Sequence, residues 1–136
     1  MNAGRYVGAS VAVFVVRTLL NFVFYGHLVH GEYEAMNAAH PGLFREMVPA
    51  YITIDLVIAF LLTFLIIKAA SAFGGGIKGG VTLGVLLALL GPVSFGLYYY
   101  FSVTFYTCNF FAIESVYQVV TYAIQGAIAA AIYKSA

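Results

Sequence analysis

Residues 7–29 read VGASVAVFVVRTLLNFVFYGHLV, an almost unbroken apolar stretch with Arg17 near its middle. As a helix, these 23 residues are long enough to cross the hydrocarbon core of a bilayer. An arginine at that depth is costly, so its side chain faces protein or water rather than lipid. The stretch therefore predicts the first span of an integral membrane protein that has a polar interior.

The composition of the whole chain agrees with this reading. Of 136 residues, 63% are hydrophobic and 8% are charged, whereas soluble proteins carry about 25% charged residues. The net charge of +1 leaves no basic patch, which excludes nucleic acid as a partner. The single cysteine, Cys108, excludes an intrachain disulfide and is expected to be buried and inert. No catalytic motif is present, so we expect a non-catalytic protein.

Apolar segments and breaks predict an all-α, four-transmembrane-helix up-down bundle, with residues 1–136 forming a single domain. The expected spans are about 6–29, 50–72, 81–105 and 110–133, with an outer loop at 30–49. Pro49 suits the start of a helix because its missing N–H is not needed there. The glycine-rich stretch 74–80 separates the second and third spans, and Gly91-Pro92 should kink or loosen the third.

Basic residues predict the orientation. One side of the membrane would carry Arg5, Lys68, Lys78 and Lys134, and the other side only Arg45. The positive-inside rule then places both termini in the cytoplasm, and we expect the chain to lie in an inner membrane. Within the outer loop, residues 32–37 either continue the first helix or lie along the membrane interface.

Small residues recur at helical spacing and predict close contacts between helices. The third span has Gly80, Gly84, Ala88, Pro92 and Gly96; the first has Gly4, Gly8 and Ala12; and the fourth has Ala123, Ala127 and Ala131 beside Gly126 and Ala130. Such stripes serve packing within the bundle, self-association, or docking to a partner subunit of a membrane complex.

Polar residues form the strongest periodic pattern. Glu114, Gln118, Thr121 and Gln125 follow spacings of four, three and four, which is one helix face. A stripe of this kind must look into the bundle, since facing lipid would leave its polar groups unsatisfied.

The other spans add further polar residues, namely Arg17 and Asn21, Thr53 and Asp55, and Ser94, Tyr98 and Ser102. We expect Arg17 to pair with Asp55, with Glu114 or with both, since all three fall in the outer half of the bundle. The cluster then serves either as an ion-pair network that fixes helix register, or as a proton or ion relay or a pocket for a polar head group.

His27 and His30 lie three residues apart near the end of the first span. This spacing can place two imidazoles on one helix face for a metal, and one axial histidine is enough for a tetrapyrrole. Glu32, Glu34 and His40 follow closely, but neither a third ligand nor the residues that would orient the ligands can be identified from the sequence, so we expect no cofactor.

Two short segments resemble a family of small four-helix bacterial membrane proteins of unknown function. Residues 25–31, YGHLVHG, pair a Tyr with a Gly six residues later, as that family does at the end of helix one. Residues 113–120 and 124–128 resemble its last helix, with a polar residue, an aromatic residue and a Gly-Ala-Ile run. Arg17 in mid-helix and Asp55 in the second span also resemble the DoxX-like membrane proteins. Neither resemblance implies an activity.

The sequence favours an accessory or structural subunit of a membrane complex, or a homo-oligomer, that lies in the lipid bilayer. A second hypothesis is a small transporter or a lipid-binding module. It would use four polar residues of the spans, namely Arg17, Asp55, Glu114 and Gln118. A third is a haem-, pigment- or metal-binding membrane protein that uses His27 and His30.

Overall fold

The computed structural model describes residues 1–44 and 48–133, and within these ranges every regular element is helical. The elements are α1 (Ala3–Val23), a π-helical turn (Phe24–Leu28), α2 (His30–Ala39), α3 (Val48–Ala69), a 3-10 turn (Ala70–Phe73), α4 (Gly76–Ala88), a second π-helical turn (Leu89–Val93), α5 (Ser94–Ser102) and α6 (Cys108–Ile132). Arg45 and Lys134, on which the predicted orientation also draws, lie outside the described residues.

Four segments are long and apolar enough to cross a membrane. They are Ala3–Leu28, Val48–Phe73, Gly76–Ser102 and Cys108–Ile132, each 25 to 27 residues long. The predicted all-α bundle with four spans is confirmed. The fold and composition are those of a multi-pass membrane protein.

Contacts at the two ends of the bundle give the up-down arrangement. At one end, the backbone N–H of Asn2 donates to the Tyr133 hydroxyl at 2.9 Å. At the other end, the Tyr25 hydroxyl donates to Glu114 Oε1 at 2.7 Å. The first and fourth spans are therefore antiparallel. We call the first of these ends the termini end and the second the loop end.

The glycine-rich link is shorter than the sequence suggested. Gly74 and Gly75 make the turn, with φ of 99° and 69°, values that glycine adopts without strain. Gly79 and Gly80 already belong to α4. They serve close packing there, since the backbone of Ala70 lies against Gly79 and that of Gly126 against Gly80. The third span therefore starts at Gly76, and the prediction that it starts at 81 and ends at 105 was wrong at both ends.

The predicted loop at 30–49 contains a helix of its own. Val29, with φ −112° and ψ 15°, ends the first span, and α2 follows as a separate helix without buried residues. In the third span, the expected loosening at Gly91-Pro92 is confirmed as the π-helical turn Leu89–Val93. The Ser94 hydroxyl donates to the Leu89 carbonyl at 2.5 Å there.

The closest packing joins α4 to α6, through glycine. A Cβ built on Gly84 would overlap the Tyr122 carbonyl, and one on Gly80 would overlap the Gly126 carbonyl. Ala88 continues this face and is fully buried. The prediction that this face packs against another helix is confirmed, and its partner is the fourth span of the same chain.

The other small-residue positions differ from one another. A Cβ on Gly96 would lie 3.3 Å from Phe111 and from the Tyr106 hydroxyl, so Gly96 also packs against this end of the bundle. In the first span Gly4 and Gly8 are exposed, and apart from the backbone of its own helix no described atom lies within 4 Å of a Cβ built on Gly8.

We predict that Gly84→Leu lowers the free energy of unfolding by about 2 kcal/mol or more, because α4 and α6 would have to separate. The measurement is SDS titration of purified protein in mixed micelles. The control is Leu90→Ala, at a position that is 77% exposed, which should change stability by less than about 0.5 kcal/mol. Equal stabilities of the two variants would contradict the packing role.

Candidate functional site

A buried ion pair links the first and second spans. Arg17 Nε lies 2.7 Å from Asp55 Oδ1, and the two residues are only 7% and 8% exposed. The pairing of Arg17 with Asp55 was predicted and is confirmed. A charge-assisted bond of this kind offsets part of the cost of holding both charges away from water.

Asn21 and Tyr117 extend this pair to the fourth span. The Asn21 side-chain amide donates to both Asp55 carboxylate oxygens at 3.0 Å. Its carbonyl oxygen accepts from the Tyr117 hydroxyl at 2.6 Å. The Asn21 side chain thereby connects the first span to both the second and the fourth. We call Arg17, Asn21, Asp55 and Tyr117 the ion-pair network.

Buried polar atoms continue from this network toward the termini end. The Arg17 guanidinium carbon lies 5.5 Å from the centre of the Tyr122 ring, a cation–π distance. Arg17 Nη1 and both polar side-chain atoms of Gln125 have no hydrogen-bond partner among residues 1–44 and 48–133. Thr121 and Gln125 are 1% and 0% exposed, so the predicted inward face of the fourth span is confirmed.

Glu114 belongs to a second, separate group. Its carboxylate accepts hydrogen bonds from the hydroxyls of Tyr25 and Tyr106, and the Gln118 amide donates to the Tyr25 hydroxyl at 3.1 Å. The polar residues expected as one intramembrane cluster therefore form two groups, and of the partners predicted for Arg17, Asp55 is the one that it pairs with. The reason is the depth of each residue in the bundle. Tyr25 lies eight residues, or about 12 Å, beyond Arg17 toward the loop end, and at that level it contacts Glu114.

Glu114 faces a cavity of about 440 Å³ at the loop end of the bundle. Its walls come from the segment after α2, from the third span, from the loop before α6 and from α6 itself. The lining residues are Leu43, Phe44, Pro92, Phe95, Gly96, Tyr99, Phe105, Tyr106, Glu114 and Gln118. We call this space the Glu114 cavity.

Tyr106 lines the cavity beside Glu114, and its hydroxyl donates to the carboxylate. Burial raises the pKa of Tyr106 above its usual value, and the hydrogen bond to Glu114 and the negative charge of that residue raise it further. The phenol therefore stays protonated well into the alkaline range and keeps donating to Glu114. Two of the roughly four hydrogen bonds that a carboxylate can accept are occupied in this way.

Several polar residues expected in the interior lie outside it. Ser94, Tyr98 and Ser102 are exposed, Tyr98 by 68%. The π-helical turn before α5 breaks the regular i+4 register, so the buried face of α4 does not continue into α5. Thr53 is also exposed, and its hydroxyl donates to the Pro49 carbonyl at 2.9 Å.

The two histidines are exposed and belong to different helical segments. His27 stacks edge-on against Phe22, while His30 lies 3.2 Å from Glu34 one turn along α2. Within the described ranges, no three His, Cys, Asp or Glu side chains could hold a metal ion together. Cys108, expected to be buried, is exposed at the start of α6.

Sequence reasoning missed the tyrosines that connect the polar residues. Tyr25, Tyr106 and Tyr117 all donate hydrogen bonds to polar side chains of other segments. A signal was present for Tyr25, because Arg17, Asn21 and Tyr25 follow steps of four residues and share one helix face. Tyr106 lies in a loop, where periodicity gives no information.

No protein family matches this chain, and neither a curated protein nor a solved structure matches it. The resemblance to small bacterial four-helix membrane proteins, and that to DoxX-like proteins, therefore stays a prediction from short motifs. Function has to be argued from the geometry.

We predict that Arg17→Gln lowers the free energy of unfolding by roughly 3–5 kcal/mol, because it leaves Asp55 charged and buried without its cation. Asp55→Asn should be destabilising as well, and the double variant should lose less than the sum of the two single losses. SDS titration of the four proteins gives the coupling energy. Lys78→Gln, at an exposed position, is the control for loss of a positive charge. Additive losses would contradict the pairing.

Proposed function

We propose that this protein is a non-catalytic membrane module that binds a small ligand or a lipid head group in the Glu114 cavity. The observation that carries the proposal is the cavity itself. Its volume of about 440 Å³ lies within the range of about 300–1,000 Å³ that is usual for small-molecule sites. Its lining is largely aromatic and apolar, with Glu114 and Gln118 as convergent polar groups, which is also usual for such sites.

The location of the cavity supports access from the membrane. Phe95 and Tyr99 line the cavity and are 63% and 40% exposed, so one wall lies at the surface of the bundle. Glu114 lies six residues into α6, about 9 Å from the start of the helix. A ligand could therefore keep a polar group near Glu114 and an apolar part in the bilayer.

Contacts outside the cavity hold its two polar lining residues, Glu114 and Gln118, in place. The rings of Phe24 and Tyr117 stack at 3.8 Å between centres, which couples the residues around Tyr25 to the ion-pair network. Tyr25 in turn contacts both Glu114 and Gln118. Such a supporting layer keeps binding groups in a fixed geometry.

A second candidate function is that of an accessory or structural subunit, as a homo-oligomer or in a larger membrane complex. Gly80, Gly84 and Gly96 of the third span do not favour it, since they pack within the bundle. The observation in its favour is the exposed edge of α1 at Gly4 and Gly8, where another helix could approach closely.

We also propose that both termini lie in the cytoplasm of a bacterium and that the protein resides in the inner membrane. Arg5, Lys68 and Lys78 belong to the termini end of the bundle, at the start of α1, the end of α3 and the start of α4. The positive-inside rule assigns that end to the cytoplasm. The Glu114 cavity would then open toward the outer side.

The exposed native Cys108 offers a direct test of orientation. In intact cells, a membrane-impermeant maleimide should label Cys108, which lies at the loop end. In a Cys108→Ser background, Ser71→Cys at the exposed termini end should be labelled only after the cells are permeabilised. The reverse pattern would place the cavity on the cytoplasmic side.

Filling the cavity should abolish ligand binding. We expect a small molecule or lipid to remain with the purified wild-type protein in native mass spectrometry and to be lost from Leu43→Trp, because the larger ring occupies the cavity. Leu61→Trp, at a position of the second span that is 58% exposed, adds the same bulk elsewhere and should retain the ligand. Equal ligand retention by both variants would contradict the proposed site.

A further inference from the structure

The structure assigns an organic cation, a compound that carries an ammonium group, as the ligand of the Glu114 cavity. This inference rests on the proposed function and specifies its ligand class. The observations behind it are the charge on Glu114, the partners of that charge, and the aromatic walls around it.

The negative charge of Glu114 is not balanced within the described part of the chain. There, the described carboxylate ion pairs are Arg17 with Asp55 and His30 with Glu34, and neither includes Glu114. Tyr25 and Tyr106 donate to the carboxylate but carry no positive charge. A carboxylate this far inside a span is costly, and a cation bound in the cavity would offset that cost.

The walls of the cavity suit an organic cation. Five of its lining residues are aromatic, namely Phe44, Phe95, Tyr99, Phe105 and Tyr106. Aromatic faces attract ammonium groups through their negative quadrupole, and rings arranged around a quaternary ammonium form the usual protein site for that group. The Glu114 carboxylate, which also lines the cavity, adds direct charge attraction.

A metal ion suits the same cavity poorly. Hard cations such as Ca²⁺ require six to eight oxygen ligands. Apart from tyrosine hydroxyls, the side-chain oxygens that line the cavity come from Glu114 and Gln118. An ammonium group bearing methyl or alkyl substituents needs only one carboxylate, since aromatic contacts replace the remaining solvation.

An ammonium group can reach the cavity as a free solute or as part of a lipid head group, and two measurements separate these sources. The first is isothermal titration of delipidated protein in uncharged maltoside micelles with choline, compared with its neutral isostere 3,3-dimethylbutanol. The second is native mass spectrometry after reconstitution in an equal mixture of phosphatidylcholine and phosphatidylglycerol. Choline binding without retention of phosphatidylcholine indicates a solute, and selective retention of phosphatidylcholine indicates a lipid.

Matched variants test the residues. Glu114→Gln keeps the shape but removes the charge and should weaken binding of the ammonium probe about tenfold or more. Glu34→Gln makes the same change on the exposed face of α2 and should leave binding unchanged. Tyr99→Leu should weaken binding several-fold while Tyr99→Phe, which keeps the ring, should not. The Tyr99 pair tests the inference even if Glu114→Gln fails to fold.

The inference is overturned if the neutral isostere binds as well as choline, or if wild-type protein retains neither choline nor phosphatidylcholine. A neutral or anionic ligand that Leu43→Trp displaces would overturn it too, while leaving the proposed binding function intact. If Leu43→Trp and the wild-type protein retain the same ligands, the result would instead count against the binding function itself.

Discussion

The buried pair of Arg17 and Asp55 is the constraint on which the rest of the structure depends. An arginine near the middle of a span cannot face lipid without a large cost, so the first span has one acceptable rotation about its axis. That rotation places Asn21 and Tyr25, which follow at steps of four residues, on the same inward face. The second span must then present Asp55 to the same point, at 2.7 Å from Arg17.

The same pairing leaves Glu114, the half-buried acid of the fourth span, to a different role. Because Asp55 neutralises Arg17, Glu114 has no cation among the described residues, and its contacts are with tyrosine hydroxyls. A polar interior with two acids and one arginine thus divides into a balanced pair deep in the bundle and a negative site near its loop end. The balanced pair supports helix register, and the negative site faces a cavity.

Much of the fold could be predicted from sequence because membrane burial acts on whole segments. Four apolar segments, one mid-span arginine and one polar helix face were enough to predict a four-span bundle and to name Asp55 and Glu114 as the possible partners of Arg17. The boundary at residues 74–80 was wrong because glycine serves both turns and close helix contacts, and local sequence does not distinguish Gly75 in the turn from Gly80 against Gly126. The candidate site was harder to predict from sequence. Tyr106 reaches Glu114 from one loop, and Leu43 and Phe44 reach the cavity from a different loop.

The two π-helical turns explain how one bundle has both a close contact between α4 and α6 and an open cavity. Along α4, regular helical spacing keeps Gly80, Gly84 and Ala88 on one face, and that face meets α6 at backbone distance. The turn at Leu89–Val93 ends this register. In α5, which follows the turn, the side chains of Phe95 and Tyr99 line the Glu114 cavity. The turn at Phe24–Leu28 includes Tyr25, which contacts Glu114 from the opposite side. Such turns are often found at functional sites, and here one includes Tyr25, which donates to Glu114, and the other includes Pro92, which lines the Glu114 cavity.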